Sequence, residues 1–131
     1  MIVVDASVLA NAVGDDGPDG ALARAALRGE ELAAPDLVDV ETLSVLRKTW
    51  QAGTLSERRF RSAVDDLVDL PLTRHPAAGL LRRAFELRAN VTPYDAVYVG
   101  LAEALDCPLL TADRRLADAP GPRCKIHLLS P

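Results

Sequence analysis

Ile2-Val3-Val4-Asp5-Ala6-Ser7-Val8-Leu9-Ala10 decides the fold of this chain. Three β-branched residues in unbroken succession suit a strand covered on both faces, which has no need to alternate apolar with polar positions. A carboxylate closes the run, and Ser7 to Ala12 then reads as a helix. A buried strand that ends in an acid and passes straight into a helix opens an α/β fold with a mostly parallel sheet. Ligands of such sheets bind outside the carboxyl ends of the strands, so Asp5 is the first candidate site residue.

The rest of the chain continues the alternation. Gly14-Asp15-Asp16-Gly17-Pro18 carries turn chemistry, and Gly20 to Arg28 is a second helix. Leu32-Ala33-Ala34 is a short strand. Pro35-Asp36 then announces a helix with Asp36 as its cap, Asp39 at the capping-box position and Leu37, Val40, Leu43, Leu46 and Trp50 at helical spacing. Ser56 caps the next helix, which carries Phe60, Val64, Leu67 and Val68. Leu70-Pro71-Leu72 is confined to an edge or a strand terminus by its proline. One helix is expected from His75-Pro76 to about Ala89. Thr92-Pro93-Tyr94-Asp95 starts another, with Tyr94, Val97, Tyr98, Leu101, Ala102 and Leu105 on one apolar face. Cys107 to Leu110 is a strand, Asp113 to Leu116 a short helix and Lys125 to Leu129 a last strand. Neither a repeat nor a low-complexity segment interrupts the series, and residues 1–131 read as one domain.

Composition narrows the function. Hydrophobic residues make up 49% and aromatics only 4%, so the core is aliphatic. A net charge of −4 argues against a broad surface that coats nucleic acid. Of the 15 basic residues 13 are arginine, grouped at Arg58-Arg59-Phe60-Arg61, Arg82-Arg83 and Arg114-Arg115. These suit either solvated helix faces or bidentate phosphate contacts. Cys107 and Cys124 lack zinc-site spacing and read as small buried residues of a reducing compartment. The first charge comes too early for a signal peptide, and no apolar run approaches the roughly 20 residues that span a bilayer. A cytoplasmic location, without membrane contact, follows as the expectation.

Four acids recur at the ends of elements. Asp5 follows the first strand, Asp113 lies just past Leu109-Leu110, Asp95 is in a helix's first turn, and Glu41 flanks an apolar stripe. Each has a plain alternative: Asp95 a capping acid, Asp113 an N-cap, Glu41 a solvated helix residue. If the four converge, their mutual repulsion demands a cation, and hard oxygen donors favour Mg²⁺ or Mn²⁺. With only His75 and His127 in the chain, a histidine-based ribonuclease mechanism is disfavoured. A phosphatase of the haloacid dehalogenase type needs a second Asp where Ser7 stands. A receiver domain needs a better-placed lysine than Lys48 or Lys125, and no glycine-rich phosphate loop is present.

Four segments together resemble the PIN-domain ribonucleases, and among them the VapC-type toxins of type II toxin–antitoxin pairs. They are Ile2 to Ala10, Ala34-Pro35-Asp36-Leu37-Val38-Asp39-Val40-Glu41, Thr92-Pro93-Tyr94-Asp95-Ala96-Val97-Tyr98-Val99-Gly100-Leu101-Ala102, and Leu109-Leu110-Thr111-Ala112-Asp113-Arg114-Arg115-Leu116-Ala117. The resemblance implies a PIN-like three-layer α/β/α sandwich. It implies Asp5, Glu41, Asp95 and Asp113 as a catalytic, metal-binding quartet, with Asp5 and Asp95 the most direct ligands. Mg²⁺, with Mn²⁺ able to substitute, would support endonucleolytic RNA cleavage by metal-assisted phosphodiester hydrolysis. Ser7 and Thr111 look like hydroxyls that orient the carboxylates. Arg114 and Arg115, next to Asp113, are candidates for flanking RNA phosphates. A small VapB-like antitoxin and homodimer formation are the implied partners. The alternative is a non-catalytic PIN-like module that binds an antitoxin peptide in its acidic pocket.

Overall fold

The computed structural model describes residues 1–131. Five short strands, β1 (Ile2–Val4), β2 (Leu32–Pro35), β3 (Leu72–His75), β4 (Leu109–Thr111) and β5 (Ile126–Leu128), form one sheet in the order β3-β2-β1-β4-β5. Every pairing is parallel. Helices α1 (Ala6–Gly14), α2 (Pro18–Leu27), α3 (Val38–Gln51), α4 (Glu57–Asp69), α5 (Leu81–Glu86), α6 (Pro93–Leu105) and α7 (Arg114–Asp118) fill the connections. The sheet is wound outward in both directions from β1: β2 and β3 lie on one side, β4 and β5 on the other. The gap between β1 and β4 is therefore the switch point, where a parallel sheet opens a crevice at its carboxyl edge.

Val3 and Val4 are fully buried, as an unbroken β-branched run requires. Over them lies α6, which touches β1, β2 and β4. Its residues Ala96 to Ala102 are buried without a break, so this helix has no solvent stripe across its middle. The main core joins Val3, Leu9, Val38, Leu72, Val99 and Leu109; a second, smaller cluster of Val13, Leu46, Leu55 and Ala63 sits between α1, α3 and α4.

Several local expectations change. The buried positions of α3 are Val38, Thr42 and Leu46, while Val40 and Trp50 are 71% and 44% exposed. The helix begins one residue later than Asp36 would place it. Leu37 is its N-cap, and Asp36 Oδ1 instead accepts from the Ala77 amide at 3.2 Å. Asp39, freed from a capping box, pairs with Arg74 at 2.8 and 3.0 Å. The helix expected from His75 to Ala89 is broken into a 3₁₀ turn, Ala77–Leu80, followed by α5. β3 starts after Pro71, so the proline marks the strand's entry at the sheet edge. Cys107 and Cys124 are free and only partly buried, and burial pushes the Cys124 thiol up to about 11.

The arginine clusters divide by role. Arg59 donates to Asp16 and to the Val13 carbonyl, and Arg83 forms a two-pronged pair with Glu103 at 2.7 and 3.1 Å. These side chains staple helices together and are neither free solvated cations nor phosphate clamps. No helix is long and apolar enough to cross a membrane.

Thr42 is fully buried, and its hydroxyl has no hydrogen-bond partner. A buried donor left unmade destabilises the fold, whereas valine keeps the shape without the hydroxyl. Thr42→Val is expected to raise the unfolding free energy by about 1 kcal/mol, read from urea denaturation at unchanged m-value.

Candidate active site

Asp5 is the residue after β1, and its amide still donates to the Leu110 carbonyl of β4 at 2.9 Å. The backbone then turns into α1 with Asp5 as N-cap, but the side chain makes no capping bond. Its Oδ2 accepts from Ser7 Oγ at 2.8 Å and from Thr111 Oγ1 at 2.7 Å. Each hydroxyl is in turn an acceptor: the Ala112 amide donates to Ser7 Oγ at 3.1 Å, and the Asp113 amide to Thr111 Oγ1 at 3.0 Å. A hydroxyl has one proton. With lone pairs occupied by backbone N–H groups, both protons point at Asp5. Ser7 and Thr111 thus fix one carboxylate oxygen, and no side chain donates to the other.

Asp5 is only 6% exposed, and burial raises its pKa against the lowering effect of the Thr111 and Ser7 hydrogen bonds. Burial also raises Glu41, opposed by its hydrogen bond from Tyr98 and reinforced by repulsion from Asp5 and Asp95. Asp95 is raised first by burial, then by Asp5 and Asp113. The four carboxylates therefore share one electrostatic neighbourhood, at the carboxyl edge beside the switch point.

Each of the other three acids is positioned locally. Thr92 Oγ1 accepts from the Asp95 amide at 3.2 Å, which caps α6 and holds Asp95 in its first turn. Asp113 caps α7 by accepting from the Arg115 amide at 2.9 Å. Glu41 Oε1 accepts from the Tyr98 hydroxyl at 2.6 Å. The plain capping geometry expected of Asp113 is thus present, and it coexists with a place in the cluster.

Two clefts meet at these acids. One, about 520 Å³, is lined by Asp5, Ser7, Glu41, Lys48, Tyr94 and Asp113. The other, about 170 Å³, is lined by Thr92, Asp95, Asp113 and Arg115. Asp113 is common to both, so the two clefts adjoin at it and the four acids lie along the combined trough. Arg115 lies on its rim, with Nε 3.9 Å from Asp113 Oδ1, while Arg114 lines neither cleft. The oxygen-only donor set suits a hard divalent cation. No three of the side chains converge closely enough to chelate an ion unaided. Mg²⁺ suits that arrangement, because it retains several waters and takes one or two carboxylates.

The sequence alone does not single out three residues of the site: Tyr98, buried beneath it, and Tyr94 and Lys48, which line the larger cleft. Helical periodicity puts Tyr98 only on an apolar face, yet a buried phenol needs a partner, and that requirement is the available signal. The same periodicity puts Tyr94 on the buried face, but it is 65% exposed, because the first turn of α6 lies at the rim of the cleft. Lys48 stands two helical turns after Glu41, a spacing that shares a face.

A family model for the PIN domain matches residues 2–122. The chain is 45% identical over 129 residues to ribonuclease VapC9 of Mycobacterium tuberculosis, covering 98% of each. It is 42% identical over 128 residues to ribonuclease VapC1 of the same species, covering 97% of this chain and 96% of that one. Its fold is similar to the crystal structure of VapBC2 from Rickettsia felis bound to a promoter DNA fragment, with a TM-score of 0.70 at 16% identity, covering 99% and 100% of the two chains. With that sheet order, that acidic edge and relatives of that extent, the chain belongs to the PIN-domain family and, within it, to the VapC ribonucleases.

Proposed function

We propose that this VapC ribonuclease is a Mg²⁺-dependent endonuclease whose working site is the trough at Asp5, Glu41, Asp95 and Asp113. The observation that carries the reading is Asp5: a buried carboxylate, raised in pKa and held by two aimed hydroxyls at the switch point of a parallel sheet. Such a charge is unfavourable without a cation, and the neighbouring acids make it more so. A bound divalent ion would supply Lewis-acid activation of water and neutralise charge on the leaving oxygen. Asp5 presents the oxygen opposite its two hydroxyl partners. Glu41 is held in place by Tyr98, and Asp95 and Asp113 face the same space from the starts of α6 and α7. Ser7 and Thr111 keep Asp5 oriented. Arg115 is the better placed of the two arginines to meet a flanking phosphate.

As a VapC protein, the chain is the toxin member of its pair. Its antitoxin would be a small VapB-like protein, and an Arg or Lys from it, seated in the trough, would neutralise the same charge as the metal. Homodimer formation belongs to the same reading.

Asp5→Asn should lower RNA cleavage at least ~100-fold in Mg²⁺ or Mn²⁺ while circular dichroism and Tm stay those of a folded protein. Mapping of RNA 5′ ends after induced expression, with this variant as control, reads the outcome. Undiminished cleavage by the folded variant would falsify the site assignment. Tyr98→Phe removes the one donor to Glu41 and should reduce cleavage ~10-fold, as loss of an orienting partner at a metal site does.

The raised acids also set a pH dependence. In metal-free protein the folded state binds protons more tightly than the unfolded chain at Asp5, Glu41 and Asp95. Stability therefore falls as pH rises through that window and recovers as pH is lowered toward the ordinary carboxylate range. Thermal unfolding in EDTA should show Tm higher at mildly acidic than at neutral pH, and Mg²⁺ should raise the neutral value. A flat Tm in EDTA would contradict the electrostatic account.

A further inference from the structure

Tyr94 and Tyr98 lie one turn apart on α6 with opposite fates. Tyr98 is fully buried and spends its hydroxyl on Glu41, whereas Tyr94 is 65% exposed and makes no hydrogen bond through its own. Tyr94 lies between Pro93 and Asp95 in a capped first turn, so its backbone is held rigidly. It lines the cleft that contains Asp5, Glu41 and Asp113. Further along that cleft stands Lys48, about 10 Å from Glu41 by helical rise. Lys48 is exposed and belongs to no ion pair, unlike Arg59, Arg74 and Arg83, whose charges are committed to Asp16, Asp39 and Glu103. Arg115 stands beyond Asp113 at the other end. The trough thus runs from cation through acids to cation, with one exposed ring beside the acids.

We propose that Tyr94 is a stacking platform for one unpaired base next to the scissile phosphate, and that Lys48 holds a phosphate of the same strand. Both are positioning residues, and the inference rests on the trough being the RNA site. The strand that Tyr94 and Lys48 would position is an unpaired one. In an A-form duplex the bases are stacked on one another and cannot turn a face to a side-chain ring, whereas an unpaired strand can splay a base onto an aromatic platform. A ring accepts any base face, so Tyr94 adds affinity with little sequence preference. Lys48 contributes a salt-dependent charge contact that carries no sequence information.

The test is fluorescence anisotropy with a labelled single-stranded oligoribonucleotide of mixed sequence and with its duplex form. It is done in the Asp5→Asn background with Mg²⁺, so that the probe is not consumed. Tyr94→Ala should weaken single-strand binding about tenfold, Tyr94→Phe should restore it, and duplex should bind less well than single strand. Lys48→Ala should reduce the slope of log affinity against log salt by about 0.7, while Tyr94→Ala leaves that slope unchanged. If the parent binds the single strand and Tyr94→Ala binds it equally well, or if duplex binds as tightly, the stacking assignment is overturned alone. If the parent binds neither probe, the reading of the trough as the RNA site falls, and this inference with it.

Discussion

The pair of hydroxyl bonds onto Asp5 is the constraint around which this molecule is arranged. One comes from Ser7 at the start of α1, the other from Thr111 at the end of β4. Each hydroxyl is turned by an amide of the β4–α7 loop. The carboxylate therefore knits together two neighbouring strands, the helix after one and the loop after the other. This arrangement requires β4 to lie beside β1 in parallel register, with Val4 opposite Leu110, although 106 residues separate them. A shift of that register would move Thr111 away from Asp5 and leave a buried charge with Ser7 as its one hydroxyl donor, which is unfavourable. Site geometry and strand order are thus enforced by the same bonds.

Charge is distributed so that the trough stays negative. Arg74 is locked to Asp39 and to the Leu67 and Leu72 carbonyls; Arg83 is locked to Glu103 and the Gly121 carbonyl. Each of these arginines consumes an acid elsewhere and rigidifies a helix junction. Asp5, Glu41 and Asp95 are left to hydroxyl donors and to each other, and their pKa values rise. Hydroxyls orient a carboxylate without neutralising it. The consequence is a concentration of negative charge at one rim, and it is on this that the divalent ion and the cationic partner side chain of the proposed function rest.

Much of this was legible in the sequence because parallel α/β topology writes itself in short apolar runs alternating with capped helices. Ile2-Val3-Val4 marked the central strand, Thr92-Pro93 the start of α6, and Ser56 the start of α4, whose side chain does accept from the Arg59 amide. What did not read through was which face of a helix turns inward. On α3 the apolar count favoured Val40 and Leu43, but Thr42 is the residue that faces the core. Burial there is set by the packing of α3 against α1 and α4, which no local pattern encodes. Tyr94 and Tyr98 differ for the same reason: identical side chains one turn apart fall on either side of the sheet's rim.

The ambiguity of the four acids in the sequence has a geometric cause. Every helix that holds one of them begins at the carboxyl edge of the sheet: α1 after β1, α3 after β2, α7 after β4, and α6 as it starts its return toward β4. Asp5 and Asp113 are N-caps, and Glu41 and Asp95 lie in first turns. Acids are favoured at these positions by unpaired amides and by the positive end of each helix. A parallel fold brings all such positions to one rim. A capping acid and a site acid are therefore not rival descriptions of Asp113 or Asp95. The helix starts make the charges tolerable one at a time, and the winding of the sheet brings them together in a concentration that the helix ends alone do not neutralise.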